Sequence, residues 1–241
     1  MGNSWFQFRQ FRVEQGRSAM KVCSDSCLFG ALVSKEVSSQ PVPPGRILDL
    51  GCGTGLLGLM LAQALPKAEI IGLELHPGSA EDSRLNFQQS PWGNRLILME
   101  GDFRDLDLSR SKFDCIICNP PYFLSHLRSP DPARNAAMHN SETGLKEWVD
   151  FLSSCLHPEG RIWMLMHENT LEKLPECISN GPLNITRCIH LVRNPEIRWR
   201  VVVCLENKKS NPVKMENWLI MNEKGMFLQS AKEILSPYYD A

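Results

Sequence analysis

Residues 46–65 read RILDLGCGTGLLGLMLAQAL. Arg46–Leu50 is a short apolar run bounded by Gly45 and Gly51, the pattern of a buried strand. Gly51, Gly53 and Gly55 then let the chain turn tightly and let a ligand approach its backbone. Leu56–Leu65 resumes with apolar residues at Leu57, Met60, Leu61 and Ala64, a helix face that Pro66 stops. A strand, a glycine loop and a helix in that order form the turn at which ligands meet the carboxyl edge of an open parallel sheet. The same alternation extends outward. Strands are predicted over Glu69–Leu75, Arg95–Glu100, Phe113–Cys118, Gly160–Met166, Ile185–Val192 and Arg200–Glu206. Helices are predicted over Pro77–Gln89, Glu142–Leu156 and Asn169–Ser179. This is the signature of βαβ units, hence a doubly wound, Rossmann-like α/β sheet. The stretch SSQPVPPG over 38–45 reads as a linker, dividing the chain into an N-terminal segment, 1–45, and the sheet domain, 46–241.

Composition narrows the class. The 241 residues suit one α/β domain with a short extension, and 43% hydrophobic against 22% charged residues excludes disorder and a coiled coil. No apolar run approaches the roughly 18–20 residues of a membrane span, and the first residues lack the apolar stretch of a secretory signal. Met1-Gly2 is followed by Phe6 where myristoylation needs Ser or Thr. The expectation is a cytoplasmic protein without a membrane partner. Nine cysteines, an odd number, read as buried thiols of a reducing compartment. Cys115 and Cys118 fall three apart on a strand, so they point to opposite faces; no second pair has zinc spacing, and no metal is expected. The six histidines, His76, His126, His139, His157, His167 and His190, are scattered and read as surface or packing residues.

The net charge of −1 argues against a protein that coats nucleic acid, yet the charge is uneven. Residues 1–21 carry Arg9, Arg12, Arg17 and Lys21 against Glu14 alone. Residues 185–214 carry seven basic residues, among them Arg198 and Arg200, against Glu196 and Glu206. Such clusters are where phosphate contacts are expected.

Within the glycine loop, Asp49-Leu-Gly51-Cys-Gly53-Thr-Gly55 departs from the dinucleotide fingerprint, because its third glycine comes one residue early and an acid precedes the first. The spacing resembles motif I of class I S-adenosylmethionine-dependent methyltransferases. That resemblance implies the class I methyltransferase fold, a mostly parallel seven-stranded sheet with helices on both faces, and S-adenosylmethionine as cofactor. It places Asp49, Gly51, Gly53 and Gly55 at the cofactor. Glu74, ending the second strand, is suited to the ribose because a carboxylate accepts from two vicinal hydroxyls. Asp102, just past the third strand, would lie beside the adenine.

Asn119-Pro120-Pro121-Tyr122 ends the fourth strand and resembles the N-P-P-Y motif of methyltransferases that modify a planar exocyclic or amide nitrogen. The lone pair of such a nitrogen is delocalised, so the amine is a poor nucleophile. Two acceptors, the Asn119 side-chain oxygen and the Pro120 carbonyl, would hold its N–H groups toward sp³ geometry and aim the lone pair at the methyl. Prolines stiffen the loop. Tyr122 supplies an aromatic face on which a base would stack for about 1–3 kcal/mol. Because the sulfonium charge disperses during transfer, no strong base is needed before attack, which accords with the scattered histidines.

Adenine N6, cytosine N4, guanine N2 and a protein glutamine amide all use such a loop. The 45-residue N-terminal segment is small for the helical domain of glutamine methyltransferases that act on release factors, and neither an added DNA-recognition domain nor a duplicated domain is expected from these 241 residues. A compact enzyme should prefer a base already unpaired, because flipping one from a duplex costs a few kcal/mol. Phe8-Arg-Gln10-Phe11-Arg-Val13-Glu-Gln15, Ala19-Met20-Lys21-Val22-Cys-Ser24-Asp25 and Leu28-Phe-Gly30-Ala31 resemble the opening of bacterial tRNA (adenine-N6) methyltransferases that modify the adenine beside the anticodon of valine tRNA. The likeness runs through NFQQSPW at 86–92 and N-P-P-Y; Ser24 stands where the family has Thr, and Phe29 where it has Leu. It implies tRNA as substrate, an N-terminal segment packed over the cofactor pocket, and cofactor contacts at Lys21, Asp25 and Asn119. Arg128 and Arg134, in the long loop after Tyr122, join Arg198 and Arg200 as expected RNA contacts. Phe6, Phe8 and Phe11 read as a strand packing its apolar face.

Overall fold

The structure is a computed structural model that describes residues 3–18, 20–108, 111–120, 141–194, 197–208 and 212–240. Strands β1 (Trp5–Gln7) and β2 (Arg12–Glu14) form an antiparallel pair, and α1 spans Ser24–Ser38. Then follow β3 (Arg46–Leu50), α2 (Leu56–Ala64), β4 (Glu69–Glu74), α3 (Pro77–Gln89), β5 (Leu96–Glu100) and β6 (Phe113–Cys118). The second half holds α4 (Ser141–Cys155), β7 (Leu156–Met166), the short α5 (Glu168–Leu171) and α6 (Leu174–Ile178), β8 (Asn184–Asn194), β9 (Ile197–Glu206), β10 (Lys214–Leu219) and α7 (Gln229–Leu235).

The main sheet has the order β10-β8-β9-β7-β6-β3-β4-β5, and β9 alone runs against its neighbours. It is the Rossmann-like, mostly parallel sheet expected, with eight strands where the pattern led us to seven. The additional strand, β10, pairs parallel with β8 at the edge, and its residues alternate between exposed and half-buried. KMENWL carries too few apolar residues to announce a strand from sequence. The predicted helix 169–179 is two short helices, the second opening at Leu174–Pro175, where proline favours a first turn over an interior one.

Two apolar layers cover the sheet. On one face Ile47, Ile70, Cys115, Ile117 and Leu165 meet α1, α2 and α7; on the other Leu48, Leu50, Ile116, Cys118 and Met164 meet α4 and α6. Cys115 and Cys118 thus belong to opposite layers, as strand periodicity requires. Phe8 and Phe11, stacked with ring centroids 4.5 Å apart, join the first layer together with Leu28 and Phe29 of α1. All nine cysteines are free thiols.

The chain climbs outward from β3 through β4 to β5, then returns to lay β6 against the other side of β3. That reversal makes a crevice between the carboxyl ends of β3 and β6, the place where open α/β sheets bind ligands. Leu50 is in register with Cys118 and with Leu73. The glycine loop, Asn119 and Glu74 therefore leave three adjacent strands at one level.

Candidate active site

The glycine loop is stitched to the neighbouring strand: Gly51 N–H and Cys52 N–H donate to the Leu73 carbonyl at 2.8 and 3.1 Å. Gly51, Gly53 and Gly55 all have positive φ, +68°, +57° and +79°. A methyl group on Gly55 would lie 2.5 Å from the Phe87 ring and 2.8 Å from Ser83 Oγ, so the absent side chain is what lets α3 close on the loop. Above Gly53 nothing lies within 4 Å of that position, so its backbone faces open space.

Two carboxylates adjoin the loop, and a third lies just past β5. Asp49 is fully buried on β3; its Oδ2 accepts the Gly58 N–H at 2.9 Å, which holds the first turn of α2, and its Oδ1 is buried without a partner among the described residues. Burial pushes its carboxyl up to about 7, with Glu74 adding to the rise and the Gly58 bond opposing it. Glu74 accepts from Gly53 N–H at 2.8 Å and His76 N–H at 2.7 Å. A carboxylate has about four acceptor positions, so both oxygens retain capacity. Asp102 ends the loop after β5 and receives the Arg104 backbone N–H at 3.0 Å and its Nε at 2.9 Å. The Arg104 hydrogen bond holds the Asp102 carboxyl below its ordinary range.

On the other side of the crevice, Asn119 leaves β6 with Nδ2 donating to Ser26 Oγ at 3.1 Å, while its Oδ1 is buried and has no hydrogen-bond partner among the described residues. Pro120 follows, half-buried. Pro121, Tyr122, Arg128 and Arg134 lie outside the described residues.

The N-terminal segment is tied to α3, and through it to the glycine loop, by side-chain hydrogen bonds. Asn86 of α3, buried, accepts Glu14 N–H at 2.7 Å and donates to the Glu14 and Thr54 carbonyls at 2.8 and 2.9 Å, joining the hairpin to the glycine loop. Buried Asp82 accepts the backbone N–H groups of Arg17 and Ser18 at 2.9 and 2.8 Å. Lys21 is exposed and its Nζ donates to the Gln15 carbonyl. Asp25, buried, pairs through Oδ2 with Arg200 Nε at 3.2 Å.

Arg200 also donates to His167 Nδ1 at 3.1 Å. Its side chain is 13% exposed and turned onto α1, whereas Arg198 on the same strand is exposed. Guanidinium cannot accept, so His167 presents a bare Nδ1 and carries its proton on Nε2. Burial, and next the Arg200 cation, pushes the His167 imidazolium below its usual range.

Sequence reasoning missed Ser26 and Trp148. Trp148 on α4 is buried, reaches to 3.3 Å from the place a Gly51 side chain would take, and meets Phe103 edge-on at 5.4 Å. Its signal was the apolar periodicity of α4, which reports a buried face and not what that face touches. Among the described residues no three His, Cys, Asp or Glu side chains gather as metal ligands, and no helix is long and apolar enough to cross a membrane.

A sheet of this order, with a glycine loop and an asparagine on either side of its switch point, belongs to a methyltransferase. A methyltransferase-domain family model matches residues 47–147, from β3 into α4. A predicted O-methyltransferase from Agrobacterium tumefaciens superimposes with a TM-score of 0.65 at 17% identity, covering 88% of this chain and 96% of that one. A glycopeptide N-methyltransferase solved with S-adenosyl-L-methionine superimposes with a TM-score of 0.55 at 13% identity, over 73% of this chain and 93% of that one. Both likenesses concern the fold. A curated relative from Cytophaga hutchinsonii, named tRNA1(Val) (adenine(37)-N6)-methyltransferase, is 33% identical over 241 residues, covering 99% of each chain. The chain belongs to this tRNA1(Val) (adenine(37)-N6)-methyltransferase family.

Proposed function

We propose that the chain transfers the methyl group of S-adenosylmethionine to the exocyclic N6 of an unpaired adenine in tRNA, adenine 37 beside the anticodon of valine tRNA, and that it does so in the cytoplasm. The observation that carries this reading is the Asn119 amide oxygen, buried without a partner among the described residues and one strand away from the glycine loop. An acceptor in that state is what an amine with two N–H groups satisfies.

The residues fit the cofactor. The open space over Gly53 admits a ligand to the backbone, the spare capacity of Glu74 suits a ribose diol, and the orphaned Asp49 oxygen beside the loop suits a cationic ligand, whose charge would favour the ionised carboxylate. Gly51 and Gly55 shape the turn, and Asp102 is read as the adenine contact. Lys21 and Asp25 are read as covering the pocket with the 1–45 segment, a role that the bonds joining Glu14, Asn86 and Thr54 support. When bound, S-adenosylmethionine supplies an electrophilic methyl on a sulfonium sulfur.

In this reading Asn119 Oδ1 accepts one N–H of the adenine amine and the Pro120 carbonyl the other, drawing the nitrogen out of conjugation with the ring. Pro121 stiffens the loop and Tyr122 stacks the base. The amine loses its proton only after the methyl has arrived, so no general base is required of His167 or His190. Arg128, Arg134 and the exposed Arg198 are read as phosphate contacts. Arg200 instead serves Asp25, since its guanidinium faces α1.

Incubating the protein with labelled S-adenosylmethionine and undermodified tRNA should yield N6-methyladenosine in nucleoside digests. Asn119→Ala should lower kcat by at least about 100-fold, as removing one preorganised hydrogen-bonding group does elsewhere. Label recovered in protein or ribosomal RNA, with none in tRNA, would overturn the assignment.

A further inference from the structure

We propose that Ser26 is a positioning residue that decides which end of the Asn119 amide meets the target amine. This rests on the reading of Asn119 given above and deepens it.

The two ends of an asparagine amide have nearly the same shape, but only the oxygen accepts an N–H. Flipped by half a turn, Asn119 would present two donors to an amine that is itself a donor, and the reaction would lose its acceptor. Something must therefore tell the two ends apart. Among the described residues the Asn119 amide makes one hydrogen bond, Nδ2 to Ser26 Oγ at 3.1 Å, and its other end is buried without a partner. A hydroxyl accepts and donates, so Ser26 could serve either end. The decision lies at the end left over: an orphaned buried carbonyl costs less than an orphaned NH₂, which leaves two donors unmet. By engaging one end, Ser26 makes the oxygen the one that waits. Without the hydroxyl, both ends are unpaired and the bias between the two orientations is reduced.

The hydroxyl is itself held. Ser26 Oγ lies 3.2 Å from Cys23 Sγ, and its backbone N–H donates to Asp25 Oδ1 at 3.1 Å. The other Asp25 oxygen is paired with Arg200. The first turn of α1 is thus pinned to β9, and it carries Ser26 to a residue 93 positions away in sequence.

The test uses the full chain with undermodified tRNA and compares wild type, Ser26→Ala, Ser26→Thr and Asn119→Ala. Ser26→Ala should lower kcat by about tenfold, the effect of one hydrogen bond, with KM for S-adenosylmethionine unchanged and its direct binding by calorimetry unchanged. Ser26→Thr keeps the hydroxyl and should recover most of kcat. A simple packing defect would instead weaken cofactor binding and lower the melting temperature together with kcat. Wild-type kcat in Ser26→Ala, or a Ser26→Thr variant no better than Ser26→Ala, overturns the inference. If Asn119→Ala is inactive while Ser26→Ala is not impaired, this inference alone falls. If Asn119→Ala keeps full activity, the reading of the site falls with it.

Discussion

Asp49, near the carboxyl end of β3, shows at the scale of one residue how a buried carboxyl couples folding to pH. Its carboxyl, raised by burial to about 7, holds a proton in the native state that the unfolded chain releases near its ordinary value of 3.8. The native state therefore binds more protons between those two values. The stabilisation is full below about pH 4 and is lost as pH rises to about 7, at up to about 1.4 kcal/mol per pH unit. His167 works in the opposite sense: its lowered imidazolium means that stability falls as pH drops below about 6.5, where the unfolded chain takes the proton first. The variant isolates the first effect. Asn in place of Asp49 should remove this pH-dependent component between about pH 4 and 7, read as the difference from wild type in urea midpoints of the ligand-free protein. It should also remove the proton released when S-adenosylmethionine binds, read by calorimetry in buffers of different ionisation enthalpy.

Among the elements, the glycine loop separates two demands that sequence alone presents as one repeated letter. Gly55 is constrained by its neighbours and Gly53 by what its neighbours leave open. Gly55→Ala places a methyl 2.5 Å from Phe87 in a left-handed backbone, and should cost roughly 2–4 kcal/mol of stability, combining the left-handed penalty with overpacking. Gly53→Ala meets no atom within 4 Å. It should cost only about 1–2 kcal/mol in folding, yet weaken cofactor binding more than Gly55→Ala does once both are measured below their melting temperatures. Denaturant titrations and binding isotherms on the pair give the comparison. The order of the two effects reverses if the open space above Gly53 has no part in binding.

At the scale of the whole molecule, the hairpin β1–β2 and the glycine loop are one mechanical unit because Asn86 bonds to both. Asn86→Ala leaves the Glu14 N–H and the Glu14 and Thr54 carbonyls without that partner and should cost about 2–3 kcal/mol, with unchanged circular dichroism and weaker cofactor binding. The alternation of strands and helices, the glycine loop at its first turn and the acids at the ends of β4 and β5 were all legible from sequence, because strand and helix periods and turn chemistry are local properties of the chain. The glycine spacing and Asn119-Pro120 pointed to the chemistry for the same reason. Other features were not legible. The edge strand β10 has no apolar run and is held by its register with β8. Helix α1 is buried nearly all round, so its apolar residues show no clean period. Whether Arg200 faces solvent or Asp25, and which buried atoms lack a partner, depends on what other segments bring within reach. Sequence by itself determined the fold class and the residue types of the crevice, since those follow from patterns a few residues long. Only the tertiary structure decided that Ser26 meets Asn119, because hydrogen bonding across 93 residues depends on where the intervening strands and helices return the chain.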